Sequence, residues 1–584
     1  MKAGLERVPL RYYGEVLRRY LAPFRLKAAL LAVILLGDTA LQLVNPQLLG
    51  RFIDTARSGG SSETLAAIAV LFLAVACGAQ IVGSLATYLG QDVGWSATNL
   101  LRADLARHCL RLDMPFYKAH SPGELIARVD GDIALLSNFL SAFVVRVLGK
   151  GLLLAGVVAA ITREDWRIGA ALALYTLVAL GALRRVQGVV APSFILFRRA
   201  GAALSGFWEE ALAGAEDIRS CGAEQWALGE QDRLLRDLGR DGRRSMVMGR
   251  VLQSVLEGLT AAGTALVFAL GAYLLHAGTL TIGAVFIIFY YTTMVSGSLG
   301  DLTAQFNDAQ GAAAGLARVR EVLDTAPAIA DGPGAVLPPG APAVAFRAVS
   351  FRYDTGGLVL RDLTFRLEPD RALGLLGRTG SGKTTLARLL PRFYDPCAGT
   401  VLLGETDVRA MRLPELRRRI GMVTQDVQVL AATVRDNLTL FARGVSDDHL
   451  TRAIRDLGLE EWYDGLPHGL DTWIDPGLLS AGEAQLLALT RVFLREPDLV
   501  ILDEASSRLD PATERRIEAA LDRLLRGRTA IIVAHRLASV ERADDILILD
   551  DGRILEYGAR AALAADPDSH FARLLRAGPR ELLA

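Results

Sequence analysis

The chain has 584 residues, enough for two or more domains. Hydrophobic residues make up 51% and charged residues 22%, and 64 basic residues balance 64 acidic ones, so the net charge gives no electrostatic footing for a nucleic-acid partner. The four cysteines, Cys77, Cys109, Cys221 and Cys397, are scattered with no paired spacing, so neither a disulfide framework nor a zinc site is suggested.

The N-terminus carries Lys2, Arg7, Arg11, Arg18, Arg19, Arg25 and Lys27. That excess places it on the cytoplasmic side of a membrane. The basic stretch is too long for a signal peptide and lacks a cleavage-like end. Residues 9–22 can form an amphipathic helix lying on the membrane surface. Apolar runs of spanning length follow, for which about 20 residues suffice. Residues 28–50 hold one charge, Asp38; residues 64–90 hold none; residues 134–161 hold Arg146 and Lys150. Residues 168–183 are uncharged and end at Arg184-Arg185. Residues 259–300 contain no Asp, Glu, Lys or Arg, which is too long for one span, and the polar HAGTLTIG (His276–Gly283) is the natural break. Six spans result. They return the chain to the cytoplasm and leave two long charged connections there, roughly 91–133 and 186–245, so the spans should continue as helices beyond the membrane. The domain layout expected is a membrane domain over 1–324, a linker over 325–343 rich in proline and glycine, and a soluble domain over 344–584.

In that last region short β-like runs such as ALGLLG (Ala372–Gly377), LVIL (Leu499–Leu502) and TAIIVAH (Thr529–His535) alternate with helical stretches, which favours a mainly parallel sheet. Gly377, Arg378, Thr379, Gly380, Ser381, Gly382, Lys383 and Thr384 fit G-x-x-x-x-G-K-[ST] between an apolar strand and a helix, the context a phosphate-binding loop needs. Glycines let backbone N–H groups close on phosphates, and a helix N-terminus favours the anion. Lys383 is then the β- and γ-phosphate ligand and the Thr384 hydroxyl a Mg²⁺ ligand. Only five of the 64 basic residues are lysines, so Lys383 in a glycine-rich run is hard to read as a stray surface charge. LVILDE supplies a buried strand whose end places Asp503 to support Mg²⁺ and Glu504 to polarise the attacking water. Two solvated carboxylates at a strand end would be the bland alternative.

With these motifs nearly the whole chain resembles an ATP-binding cassette (ABC) transporter of the exporter fold. The fold implied is a membrane α-helical domain of six transmembrane helices followed by an α/β P-loop ABC ATPase domain, with ATP and Mg²⁺ as cofactors. The resemblance implies that Tyr353 in SFRYD stacks on adenine and that Thr385 joins the phosphate loop. Gln425 in VTQD then contacts Mg²⁺, Asp510 in SSRLD belongs to a loop crossing the dimer interface, and His535 in VAHRL reaches the γ-phosphate. PFYKAHSPGELIARVDGDI (Pro115–Ile133) and GAEDIRSCGAEQW (Gly214–Trp226) resemble the family's coupling segments, although each could be an ordinary amphipathic turn.

The family's LSGGQ signature acts on ATP held by a second ATPase domain. Here it reads Leu479-Ser480-Ala481-Gly482-Glu483, preceded by a loop about two residues shorter than the family's usual spacing. Ser480 can cap a helix with Glu483 in the reciprocal position, so the helix should survive. Ala481 adds a methyl group, and Glu483 adds a carboxylate, where a phosphate should approach. Either this is lineage variation without consequence, or the chain pairs with a second, different half-transporter chain; a homodimer is the other arrangement. The exporter architecture implies outward movement of a small amphipathic compound, lipid or peptide from a bacterial inner membrane, with the ATPase domain in the cytoplasm. An importer of chelate-like cargo and an ATP-gated channel are the rival readings. Asp38 is a candidate cargo contact, but pairing within the membrane domain accounts for it equally well. Asn45-Pro46 reads as a kink satisfied by a neighbouring helix. Phe286, Phe289, Tyr290 and Tyr291 read as helix packing or as cavity lining.

Overall fold

A computed structural model describes residues 18–577, except 354–355, 425–426, 476, 478, 504–510 and 535–539. Most of the proposed interfacial helix over residues 9–22 therefore lies outside the described residues, as do Gln425, Glu504, Asp510 and His535. The chain folds as two compact units. The first comprises the residues up to Leu110 together with Pro122–Thr325; the second comprises Arg111–Ser121 and everything from Ala326 onward.

The first unit is helical and, among the described residues, holds six helical stretches long and apolar enough to cross a membrane. The helices used below are α1 (Arg25–Arg57), α2 (Ser62–Cys109), α3 (Gly149–Glu164), α4 (Trp166–Ala213), α5 (Glu224–His276) and α6 (Ile282–Asp324). α3 ends the third spanning stretch, which begins at Pro122 and passes through two wider π turns, Ala127–Asp132 and Phe143–Leu148. At 48, 48 and 53 residues, α2, α4 and α5 are far longer than the roughly 20 residues a bilayer needs. Polar side chains open the helices. Ser61 caps α2 through the Thr64 N–H, Asp165 caps α4 through the Arg167 N–H, and Thr281 caps α6 through the Ala284 N–H. Each satisfies a backbone donor that has no partner within its helix. The break in the longest uncharged run falls between His276 and Ile282, within the expected hairpin.

Proline and glycine set how closely these helices pack. Pro46 has no N–H to give to the preceding turn, and the Tyr291 hydroxyl of α6 donates to the Leu43 carbonyl at 2.6 Å. Gln47 donates back to that hydroxyl at 3.4 Å. Tyr291 is fully buried, which makes it a packing residue, and Phe289 stacks on Phe268 of α5 at 5.3 Å. Asp38 accepts from Gln42 one turn along its own helix, at 2.8 Å. Where α1 crosses α6, a Cβ on Gly283 would stand 2.3 Å from the Gly50 carbonyl oxygen. Beside that crossing Asp54 accepts from the Gly283 N–H at 2.8 Å and from the Thr281 hydroxyl at 2.7 Å. Asp132, 6% exposed, is held by the Arg318 guanidinium of α6.

The second unit is an α/β domain. Its strands are β1 (Val344–Phe351), β2 (Leu360–Leu367), β3 (Ala372–Gly377), β4 (Ala398–Leu403), β5 (Thr406–Asp407), β6 (Ile420–Val423), β7 (Ala432–Thr433), β8 (Trp473–Ile474), β9 (Leu499–Asp503), β10 (Thr529–Val533), β11 (Asp545–Asp550) and β12 (Arg553–Ala559). The main sheet runs β12-β11-β3-β10-β9-β6, parallel except for β12. An antiparallel sheet, β2-β1-β4-β5, adjoins it in the same core with Phe346, Phe365, Leu375, Ile501 and Val533. β3, β9 and β10 are continuous apolar runs because both faces of the sheet are covered, one in the core shared with the antiparallel sheet and the other by helix residues such as Leu486, Leu489 and Ile517. Residues 325–343 contain neither helix nor strand.

Gly283→Ala should destabilise the first unit by roughly 1–3 kcal/mol, the usual cost of overpacking. A lowered thermal midpoint in detergent is the expected result, and an unchanged one would show that α1 and α6 separate there without cost.

Candidate functional site

β3 delivers the chain into the loop Gly377–Lys383, after which helix α7 (Lys383–Leu389) begins. The loop requires glycine for steric reasons. Gly377, Gly380 and Gly382 have φ of 143°, 85° and 105°. A Cβ on Gly377 would meet the Leu549 carbonyl oxygen at 2.2 Å, and one on Gly382 would meet Leu360 at 2.6 Å. Around Gly380 there is open space instead, and Arg378, Thr379 and Gly380 are exposed, which leaves their backbone accessible to a ligand. Lys383 is 5% exposed, and its ammonium donates to the Gly377 carbonyl at 2.6 Å and to the Arg378 carbonyl at 2.9 Å. The loop thus curls around its own lysine. Ser381 Oγ is buried without a hydrogen-bond partner among the described residues, as suits a group reserved for a phosphate oxygen.

The sheet order brings the other elements alongside. β10 pairs with β3 and with β9, and β9 pairs with β6, all in parallel. Their C-terminal ends, at Val533, Asp503 and Val423, therefore lie along one edge with the start of the phosphate loop, the place where open α/β sheets bind ligands. Gln425, Glu504 and His535 follow those strand ends in sequence, outside the described residues. The Thr384 hydroxyl donates to Asp503 Oδ1 at 3.4 Å, and Asp503 is 4% exposed. A hydroxyl and a carboxylate side by side are hard oxygen donors, and they fit a Mg²⁺ ion that takes its other ligands from phosphate and water. No group of three or more His, Cys, Asp or Glu that could enclose a metal occurs among the described residues.

Tyr353 follows β1. Its hydroxyl shares a 2.9 Å hydrogen bond with Thr385 Oγ1 in the first turn of α7. Phe351 and Tyr394 meet its ring edge-on at 4.9 and 5.2 Å. The Lys118 ammonium stands 4.2 Å from the ring centroid. Sequence reasoning passed over Lys118, although the scarcity of lysine was a usable signal.

Two further helices matter here, α8 (Val434–Thr439) and, later in the chain, α9 (Ala481–Phe493), which the segment Leu479–Glu483 starts. Ser480 caps it in a capping box. The Glu483 N–H donates to Ser480 Oγ at 3.3 Å, and the Ser480 N–H donates to Glu483 Oε2 at 2.8 Å. The Ser480 hydroxyl also donates to Glu483 Oε2, at 2.7 Å. Ala481 is exposed and Gly482 buried. Further along α9, Arg491 donates to the Asn437 carbonyl of α8 at 2.6 Å, to the Asn437 side chain at 2.9 Å and to the Gln428 carbonyl at 2.7 Å. Burial lowers the Arg491 guanidinium pKa from its ordinary value. The helix is tied down behind its exposed N-terminus.

Comparison with known proteins agrees with this geometry. Residues 29–299 match the ABC transporter transmembrane region and residues 360–507 match the ABC transporter family. The ABC transporter ATP-binding protein YfiC of Bacillus subtilis is 30% identical over 555 residues, 93% of this chain and 91% of that protein. A fatty acid ABC transporter ATP-binding/permease protein of Mycobacterium bovis is 31% identical over 509 residues, covering 86% and 79% of the two chains. An ATP-dependent lipid A-core flippase of Idiomarina loihiensis is 29% identical over 567 residues, covering 94% and 95%. The solved structure of a bacterial Atm1-family ABC exporter with ATP bound shares the fold, with a TM-score of 0.82 and 24% identity over 95% of this chain and 98% of that one. The chain belongs to the ABC transporter family, as a multi-pass integral membrane protein whose fused ATPase domain binds ATP and couples its hydrolysis to transport.

Proposed function

We propose that this chain is one half of a dimeric exporter, paired in preference with a different cassette chain, that moves an amphipathic compound, lipid or peptide outward across a bacterial inner membrane. The fatty acid and lipid A-core names of two relatives support a lipid-like cargo. The basic N-terminus supports a cytoplasmic ATPase domain.

In this reading two ATP sites form between two ATPase domains. This chain gives its phosphate loop to one site and its signature to the other. Lys383 holds the β- and γ-phosphates, and backbone N–H groups from Gly377 to Thr385 surround them. Thr384 and Asp503, with Gln425, hold Mg²⁺, which neutralises charge on the phosphate oxygens. Glu504 polarises the attacking water, His535 donates to the γ-phosphate, and Asp510 lies in the loop that crosses to the partner. Binding of ATP favours the closed pair of domains and hydrolysis releases it, so the two states of the spans alternate.

The observation that carries the pairing is the Ser480–Glu483 capping box. The phosphate-loop side is complete, whereas the signature side is altered. The Ser480 hydroxyl already donates its proton to Glu483. It meets an incoming phosphate with lone pairs and a neighbouring carboxylate, where like charge opposes binding. A partner with an LSGGQ segment would complete a competent site on Lys383 and Glu504 of this chain.

Lys383→Ala should weaken binding of a labelled ATP analogue by roughly tenfold or more, the scale of lost charge-assisted hydrogen bonds. Glu504→Gln should keep ATP binding and lower turnover by on the order of 100-fold or more; undiminished turnover would remove Glu504 as the water-positioning carboxylate. ATPase turnover in lipid should be low for the chain alone and high when it is co-purified with a neighbouring cassette chain. Glu483→Gln should raise the turnover of the chain alone by about two- to fivefold. Robust turnover of the unmodified chain alone, unmoved by Glu483→Gln, would establish a working homodimer instead.

A further inference from the structure

The short helix Met114–Ala119 belongs to the same compact unit as the ATPase domain. The Asp113 carboxylate before it accepts from the Ile329 N–H at 2.9 Å, which pins this segment to the chain entering the domain. The segment presents Lys118 over the ring of Tyr353. Lys118 also borders a cavity of about 570 Å³ lined by Arg352, Tyr353, Tyr394 and Asp395 among others. Lys118 has no carboxylate partner among the described residues. The nearby Asp395 is taken, since the nearly buried Arg392 holds both of its oxygens at 2.9 and 2.8 Å. The ammonium is left with the ring face, a cation–π contact.

We propose that Lys118 competes with the adenine base for the face of Tyr353, and so restrains nucleotide binding until the base displaces it. The inference rests on the reading of Tyr353 as the adenine-stacking residue. A base that stacks on an aromatic ring lies against its face, and an ammonium 4.2 Å from the centroid already occupies that layer. The cavity beside the ring supplies the volume a purine needs, with Lys118 in its wall. The second contact of Tyr353, through its hydroxyl to Thr385 Oγ1, keeps the ring next to the start of α7 and under Lys118. Lys118 is exposed, so it can leave the ring for water without a large desolvation change. Its removal should therefore help the base and leave the phosphates without benefit. That selectivity separates competition for the ring from a general charge effect, because an added cation attracts a polyphosphate whether or not a base is attached.

The test uses the full chain in lipid nanodiscs, with Glu504→Gln present to prevent turnover, titrated by calorimetry with Mg-ATP and with Mg-tripolyphosphate, which has no base. Lys118→Ala and Lys118→Gln should each tighten ATP binding about three- to fivefold, the scale of a cation–π contact at an exposed site, without tightening tripolyphosphate binding. Lys118→Arg should bind ATP as the unmodified chain does. In a Tyr353→Leu background, Lys118→Ala should leave ATP affinity unchanged. Unchanged or weaker ATP binding in Lys118→Ala, with Tyr353→Leu still weakening ATP, would overturn the competition and leave Tyr353 as the stacking residue. Equal tightening of both ligands would overturn it as well. If Tyr353→Leu binds ATP as tightly as the unmodified chain, the reading of Tyr353 fails and the proposal with it.

Discussion

A backbone that leaves water must satisfy its own hydrogen bonds, and the first unit of this protein is organised by that constraint. In hydrocarbon only a helix or a closed barrel meets it. The chain answers with helices of up to 53 residues. Once the backbone is internally bonded, the helices can associate only through side-chain shape and a few polar contacts. Gly50 and Gly283 allow one such close crossing, and Asp54 satisfies the backbone N–H at the start of α6 beside it. Where the ladder is interrupted, at Pro46, the Tyr291 hydroxyl of a neighbouring helix bonds to the nearby Leu43 carbonyl. The same rule therefore accounts for the helical spans and leaves their association to glycine contacts and to polar contacts of this kind.

The second unit meets the constraint differently. Its parallel sheet bonds strand to strand and leaves loops free at the strand ends. β3, β10, β9 and β6 are neighbours in the sheet although they come from distant parts of the sequence. Their ends bring the phosphate loop next to Asp503, and Lys383 and Thr384 then find their partners within a short reach. The antiparallel sheet contributes Tyr353 just after β1, which the hydroxyl of Thr385 ties to the same helix as the phosphate loop. Positive-φ glycines and a buried lysine thus make a loop whose shape suits a phosphate and whose placement depends on the sheet.

Much of this was legible in the residues. Spans were readable because uncharged runs of sufficient length have few other uses, and the break at His276–Gly283 because polar and glycine residues interrupt such a run. The phosphate loop was readable because its glycines carry a steric requirement, seen again in the clashes a Cβ would cause at Gly377 and Gly382. The capping box followed from Ser480 and Glu483 at the right spacing. Contacts distant in sequence were not legible. The resemblance of Pro115–Ile133 to a coupling segment pointed to a contact with the ATPase domain, but nothing local announces that Asp113 makes one by meeting Ile329. Nor does it announce that Lys118 reaches Tyr353, or that Arg491 ties α9 to α8. The π turns of the third spanning stretch were also hidden, since its composition suits a regular helix as well. Asp38 was readable as unusual, yet its partner lay only four residues away, at Gln42.

The capping box at Ser480 separates two pressures that usually act together on one residue. Glutamate and glutamine serve the helix N-terminus alike, and α9 is anchored from behind by Arg491 in either case. Folding therefore depends little on which of the two stands at position 483, the carboxylate keeping only the modest advantage that a helix N-terminus gives an anion. A single-nucleotide change interconverts their codons. If the segment meets phosphate as proposed, the position can drift between charged and neutral chiefly under the demands of phosphate recognition, with the ATPase domain folded at every step. On the proposed pairing, a chain built this way could exchange self-sufficiency for dependence on a partner, or recover it, without passing through an unstable intermediate sequence.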